Sequence, residues 1–168
     1  SLSRIAFISR ALYSRSSTLQ FSSIFADKFA SPFFKSFEKN SKTYFVSCKF
    51  RNFLNSPIHI NADRFTEMKF LETEVFSSNS TASLKECIFI NCENQEEKGK
   101  GGGMYYYNND GRILMQSCGF DNCSAYQGGA FIAKCRSYSF TTICIRNCFA
   151  FDKYAIFRLF GGVFKNGD

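Results

Sequence analysis

The chain has 168 residues, with 21 Lys and Arg against 14 Asp and Glu and a net charge of +7. Phenylalanine stands out at 22 copies, beside eight Cys, two Pro, one His and no Trp. An apolar share of 45% excludes a disordered polar chain, one His leaves no material for a histidine-rich metal site or a Ser/His/Asp relay, and no apolar run approaches the ~18 residues of a membrane-spanning helix.

The charge is uneven along the chain. Residues 1–53 carry nine Lys/Arg against Asp27 and Glu38, whereas residues 54–168 carry twelve of each sign. The body therefore lacks the clustered basic surface that nucleic-acid binding requires, and no nucleic-acid partner is expected. Residues 1–26 are rich in Ser and Arg with no acid, a composition shared with organelle transit segments. Leu19 through Phe37 carries on the Phe/Ser texture of the rest. Residues 1–43 are thus read as an irregular capping segment, which an open coil end requires to cover its strand edges. A first residue of Ser instead of Met is expected of a processed chain or a fragment.

Four blocks then align without gaps: Cys48-Lys-Phe50-Arg-Asn52-Phe53, Cys87-Ile-Phe89-Ile-Asn91-Cys92, Cys118-Gly-Phe120-Asp-Asn122-Cys123 and Ile143-Cys-Ile145-Arg-Asn147-Cys148. A second element follows each block: Pro57-Ile58-His59-Ile60, Gly101-Gly102-Gly103-Met104, Gly128-Gly129-Ala130-Phe131 and Lys153-Tyr154-Ala155-Ile156. Gly161-Gly162-Val163-Phe164 looks like one more such corner. Inside a block the period is two, with Cys87, Phe89 and Asn91 on one side and Ile88 and Ile90 on the other, which is a strand period. Short strands in tandem units of about 25 residues indicate a solenoid. The expected fold is all-β, a parallel β-helix of about four to five coils over residues 44–168.

Equivalent residues of successive coils lie above one another in such a fold. Phe50, Phe89 and Phe120 should stack inward, each burial contributing about 2–3 kcal/mol. Asn52, Asn91, Asn122 and Asn147 should form a ladder at one corner, since Asn tolerates the left-handed conformation and its amide reaches the Asn above. The Gly pair should make a second corner. Six Cys fall in two columns, Cys48/Cys87/Cys118 and Cys92/Cys123/Cys148. Side chains stacked in parallel sit farther apart than the ~3.8 Å Cβ spacing a disulfide prefers. The columns therefore read as small buried thiols, with disulfides as the alternative. The C-x4-C spacing is not that of a zinc knuckle.

Tandem FxxN-like and GGA-hydrophobic tetrapeptides resemble the polymorphic outer membrane protein repeats of chlamydiae. The form with C-x-F-x-N-C followed by GGA is closer in texture to the repeat-bearing surface protein families of trichomonad protists. Phe89-Ile-Asn91-Cys92, Phe120-Asp-Asn122-Cys123 and Gly128-Gly129-Ala130-Phe131 carry the resemblance. It implies a right-handed parallel β-helix at a cell surface or outside the cell, active in adhesion or host contact, without catalysis or cofactor. The departures are two units without the Gly pair and the lack of an anchor.

Right-handed β-helices also host polysaccharide lyases and hydrolases, which cluster carboxylates on one outer face. The outward position before each Asn reads Arg51, Ile90, Asp121, Arg146, with one acid among four. It suits a surface ion-pair ladder. Asp63, Asp110 and Asp121 are the acids whose proximity would favour an enzyme. Lys98-Gly-Lys-Gly-Gly-Gly103 lacks the P-loop spacing, and the run 93–100 reads as a solvated insertion. Asn79-Ser-Thr81 and Asn122-Cys-Ser124 match the glycosylation sequon, and His59 reads as structural. The function expected is a non-catalytic module that binds a protein or glycan ligand through an exposed sheet or the loops at 61–83 and 93–100. The candidate contact surface is Arg51, Asp121, Arg146, Tyr105 and Tyr107. A carbohydrate-active β-helix enzyme is the alternative, and a structural spacer a third reading.

Overall fold

A computed structural model describes residues 7–8, 18–37, 41–62, 81–152, 156–160 and 163–166. Asp63, Asn79 and most of the 61–83 loop lie outside them. Short strands separated by single-residue corners wind into a parallel β-solenoid. After β1 (Phe7–Ile8), the first winding is β2 (Thr18–Ser22), β3 (Phe25–Asp27) and β4 (Phe34–Ser36). The second is β5 (Lys42–Val46), β6 (Lys49–Phe53) and β7 (Ile58–Asn61), and the third opens with β8 (Thr81–Lys85) and β9 (Ile88–Asn94). The long β10 (Met104–Asp121) and β12 (Phe131–Arg146) each close one winding and open the next, with β11 (Ser124–Ala125) between them. β13 (Phe149–Ala150), β14 (Phe157–Phe160) and β15 (Val163–Asn166) follow.

Three parallel ladders result. The first stacks β2, β5, β8, 112–116, 137–141 and β15. The middle one stacks 25–27, 49–51, 88–90, 119–121 and 144–146, five strands and so about four turns. The third stacks β1, β4, β7, 104–107, 131–134 and β14. Residues 18–36, inside the stretch assigned to the cap, are in register with the second winding. Val163–Asn166 lies in the first ladder, paired with 137–140, while Gly161 and Gly162 of the expected corner lie outside the described residues.

Corners break the alternation. Asn91 has φ +51°, and the turn moves it outward while Cys92 enters the core. Strict period two, which put Asn91 beside Cys87 and Phe89, fails at that residue for this reason. A column of left-handed residues runs Lys28, Asn52, Asn91, Asn122, Asn147. A second, which the sequence did not announce, runs Ser23, Ser47, Glu86, Ser117, Thr142. At the third corner Gly101 (φ +67°) lies over Gly128 (φ +63°), a conformation glycine adopts without Cβ crowding. The register pairs Ile58 with Met104 and Phe131 with Phe157. The expected alignment of Pro57-Ile58-His59-Ile60 was therefore out by two residues, and that of Lys153-Tyr154-Ala155-Ile156 by one.

The core is a set of aromatic stacks. Phe89 lies 5.2 Å from Phe50 and 4.7 Å from Phe120, the latter pair nearly coplanar at 4°. Phe21 and Phe45, Phe29 and Phe53, and Phe131 and Phe157 stack alike. All eight Cys are free thiols, and all but Cys144 are buried. Six of them follow a left-handed corner residue directly. Each then donates its S–H to the carbonyl two residues back and to one in the winding before: Cys87 to Lys85 and Phe45, both at 3.4 Å, and Cys118 to Gln116 and Leu84. Cys148 does the same with Arg146 and Phe120. The carbonyl two residues back also accepts a backbone N–H from the winding before, Lys85 from Ser47 at 2.9 Å and Gln116 from Glu86 at 2.8 Å, so the thiol is a second, small buried donor to it. The hydrogen bond to Cys118, and then burial, hold the Cys87 thiol above the ordinary range. Burial pushes Cys135 up to about 12.

Candidate functional site

The middle ladder presents an outward face of five stacked strands. Its outer positions form two rows, Phe25/Lys49/Ile88/Gly119/Cys144 and Asp27/Arg51/Ile90/Asp121/Arg146. In the second row the charges pair. Arg51 donates to both oxygens of Asp27, Nη2 at 2.7 Å and Nε at 3.3 Å. Arg146 repeats this on Asp121 at 2.6 and 3.2 Å. Ile90 separates the two pairs. The hydrogen bond from Arg51 holds the Asp27 carboxyl below its ordinary range, and Arg146 does the same for Asp121.

The asparagine column borders this row. Asn91 Nδ2 donates to Asn52 Oδ1 at 3.1 Å, and Asn122 Nδ2 to Asn91 Oδ1 at 2.9 Å. At the two ends the amides turn to the carboxylates: Asn52 donates to Asp27 at 2.8 Å and Asn147 to Asp121 at 3.3 Å. Asn147 therefore leaves the amide file and joins the ion pair. In the first row Phe25 is 59% exposed and Ile88 42%. Lys49 and Arg51 lie over the Phe25 ring at 5.9 and 5.4 Å. Nothing stands within 4 Å of the position a Gly119 Cβ would take, so the face is open there.

Arg51, Asp121 and Arg146 thus share one face. Tyr105 and Tyr107 lie on the third ladder, on a different face. Tyr105 is only 7% exposed, beside His59 at 4.9 Å, so its outward parity does not make it a surface residue. Tyr107 is half-buried, with Lys134 Nζ donating to its hydroxyl at 2.6 Å. Asp110 sits at the bulge between 108 and 112, where its N–H donates to Asn108 Oδ1, while Asp121 ends the middle ladder. Asp110 thus lies in the irregularity between the third and first ladders, whereas Asp121 is paired in the middle one.

Two features escaped the sequence reading. One is Phe25 with Asp27, whose alignment against Lys49 and Arg51 was a usable signal. The other is a groove of roughly 530 Å³ lined by 93–98, Tyr126 and Phe151. The run 93–100 is exposed at 95–98 and at Lys100, as a solvated insertion should be, but it is also anchored to the body. Buried Asn94 donates to Ser56 Oγ at 3.1 Å and to the Lys100 carbonyl at 3.0 Å, and Asn55 donates to Glu96 at 2.7 Å. Ser56 Oγ in turn donates to the carbonyls of Lys100 and Gly101. Among the described residues, no cluster of three or more His, Cys, Asp or Glu is placed to hold a metal ion, and no helix is long and apolar enough to cross a membrane. The chain matches no family model, no curated protein and no solved structure.

Proposed function

We propose that this chain is a non-catalytic repeat module of a surface or secreted protein, working in adhesion or partner contact. It offers the outer face of the middle ladder to a protein or glycan ligand. One observation carries the reading: Phe25 and Ile88 are exposed on a rigid sheet face whose two carboxylates, Asp27 and Asp121, are each locked to an arginine. Exposed apolar side chains rimmed by charge are what a binding surface supplies. A carboxylate held ionised by a bidentate arginine is poorly placed as a general acid, which needs a raised pKa.

Beads coated with the full chain provide the test, on cultured epithelial cells and on a glycan array. The Phe25→Ser/Ile88→Ser double variant should lose about tenfold of the binding, the loss of one or two good apolar contacts. Undiminished binding by that variant would remove the face from the account. Polysaccharide cleavage abolished by Asp121→Asn would favour the carbohydrate-active alternative instead.

A further inference from the structure

A concave surface lies on the short ladder that follows the asparagine corner. Here Glu93 pairs with Ser124, and Ser124 with Phe149. The same order places Tyr126 beside Phe151, whose N–H donates to the Ala125 carbonyl at 3.1 Å. Phe149 is 48% and Phe151 63% exposed, and their rings meet edge to face at 4.9 Å. Tyr126 and Phe151 floor a groove walled by residues 94–98, with Glu93, Glu96, Glu97 and Lys98 along the rim, and Phe149 backs Phe151 from outside it.

The wall is held in place. Gly99 N–H donates to the Glu96 carbonyl at 2.7 Å, Gln95 donates to the Glu93 carboxylate at 3.0 Å, and Asn55 donates to that of Glu96. Neutral amides orient the Glu93 and Glu96 carboxylates without cancelling their charge, and neither these two nor Glu97 is in an ion pair among the described residues. The groove is therefore an apolar surface whose rim carries three carboxylates against one cation, Lys98, a net negative charge in a chain whose net charge is +7.

We infer that this groove docks an extended Lys/Arg-rich peptide segment of a partner protein. Its cations would lie over Tyr126 and Phe151 and against Glu93 and Glu97, and its alkyl stems on the aromatic floor. Charge decides the occupant. A sulfated glycan or nucleic acid would meet three carboxylates against the single Lys98, while a cationic peptide meets a net complementary charge and ring faces. The inference rests on the reading of the chain as a binding module, and gives a second surface of that module its partner chemistry.

Fluorescence anisotropy of a labelled nona-arginine peptide against the full chain tests it, with nona-glutamate as the control. The protein's positive net charge works against non-specific capture of a polycation. Nona-arginine should bind, and binding should weaken about tenfold with Phe151→Ser or Glu97→Lys and fade as salt rises. Both positions are exposed, and circular dichroism checks that the variants fold. No binding of nona-arginine, equal binding of nona-glutamate, or unaltered binding by both variants would overturn the inference. Phe25→Ser/Ile88→Ser should leave peptide binding intact. Loss of cell binding by that variant, with no peptide binding by the parent, would sink the groove while leaving the adhesion reading standing.

Discussion

Two corners of each winding adopt the same backbone state with different side chains. The column Lys28, Asn52, Asn91, Asn122, Asn147 has φ between +51° and +63°, and the column Ser23, Ser47, Glu86, Ser117, Thr142 has φ between +52° and +55°. Left-handed backbone costs an L-residue about 1–2 kcal/mol, with Asn the tolerated exception. The asparagine corner recovers part of this through its amide file. At the other corner the side-chain bond found between windings is Ser47 Oγ to Glu86 at 2.9 Å. Yet both corners are followed by an inward residue that packs, and in three windings of each that residue is Cys. The geometry of the corner is therefore set by winding closure and by the core behind it. The corner side chain only adjusts the cost.

The largest expected effect comes from the core that both corners share. Phe89 is fully buried between Phe50 and Phe120. Phe89→Ala should cost about 3–5 kcal/mol in urea unfolding, and both corners should melt in one transition. Loss of one corner before the other would show that each closes independently of the stack. A smaller effect separates the corners. Ser117 is exposed, so Ser117→Gly should relieve the left-handed strain and raise stability by about 0.5–1 kcal/mol. Asn91 donates to Asn52 and accepts from Asn122, so Asn91→Gly should lower stability by about 1 kcal/mol. Shifts of the same sign in denaturation midpoints would mean that the amide file contributes nothing.

The same contrast explains what the sequence disclosed. Asn and Phe at fixed spacing advertise a corner and a stack, because few other residues fill those roles. Ser, Glu and Thr do not advertise a left-handed turn, so the second column was illegible. At the third corner, the second winding replaces the Gly pair with Asn55-Ser56. That turn is held by side-chain bonds to the next winding, a solution no local glycine signal marks. Arg51, Asp121 and Arg146 were readable by counting back from Asn. Their partner Asp27 was not, because the first winding had been set apart as a cap. Tyr105 shows the limit of parity: period two gives the side of the sheet, not whether another part of the molecule covers it. The floor of the groove, Tyr126 and Phe151, lies between the repeated motifs, where alignment is silent.

The smallest effect distinguishes the corners by pH. Asn52 and Asn147 donate to Asp27 and Asp121, so the asparagine corner ends on titrating groups at both extremes. Both carboxyls are held below the ordinary aspartate value of 3.8, chiefly by their arginines. A folded value below the unfolded one means that the unfolded chain binds protons first as pH falls. The stability these pairs add is therefore present above about pH 4 and lost as pH drops through the lowered folded values. Both pairs face solvent, so salt should weaken the effect. Side-chain amide signals of Asn52 and Asn147 should titrate with midpoints below 3.8. Ser117 lies on the other corner column and should not follow them. Asp121→Asn should abolish the change at Asn147 and leave that at Asn52, because uncharged Ile90 stands between the two ion pairs in this row. Midpoints at or above the ordinary value would mean that the arginines do not hold these carboxylates in solution, and the neutralised face would become an acidic one.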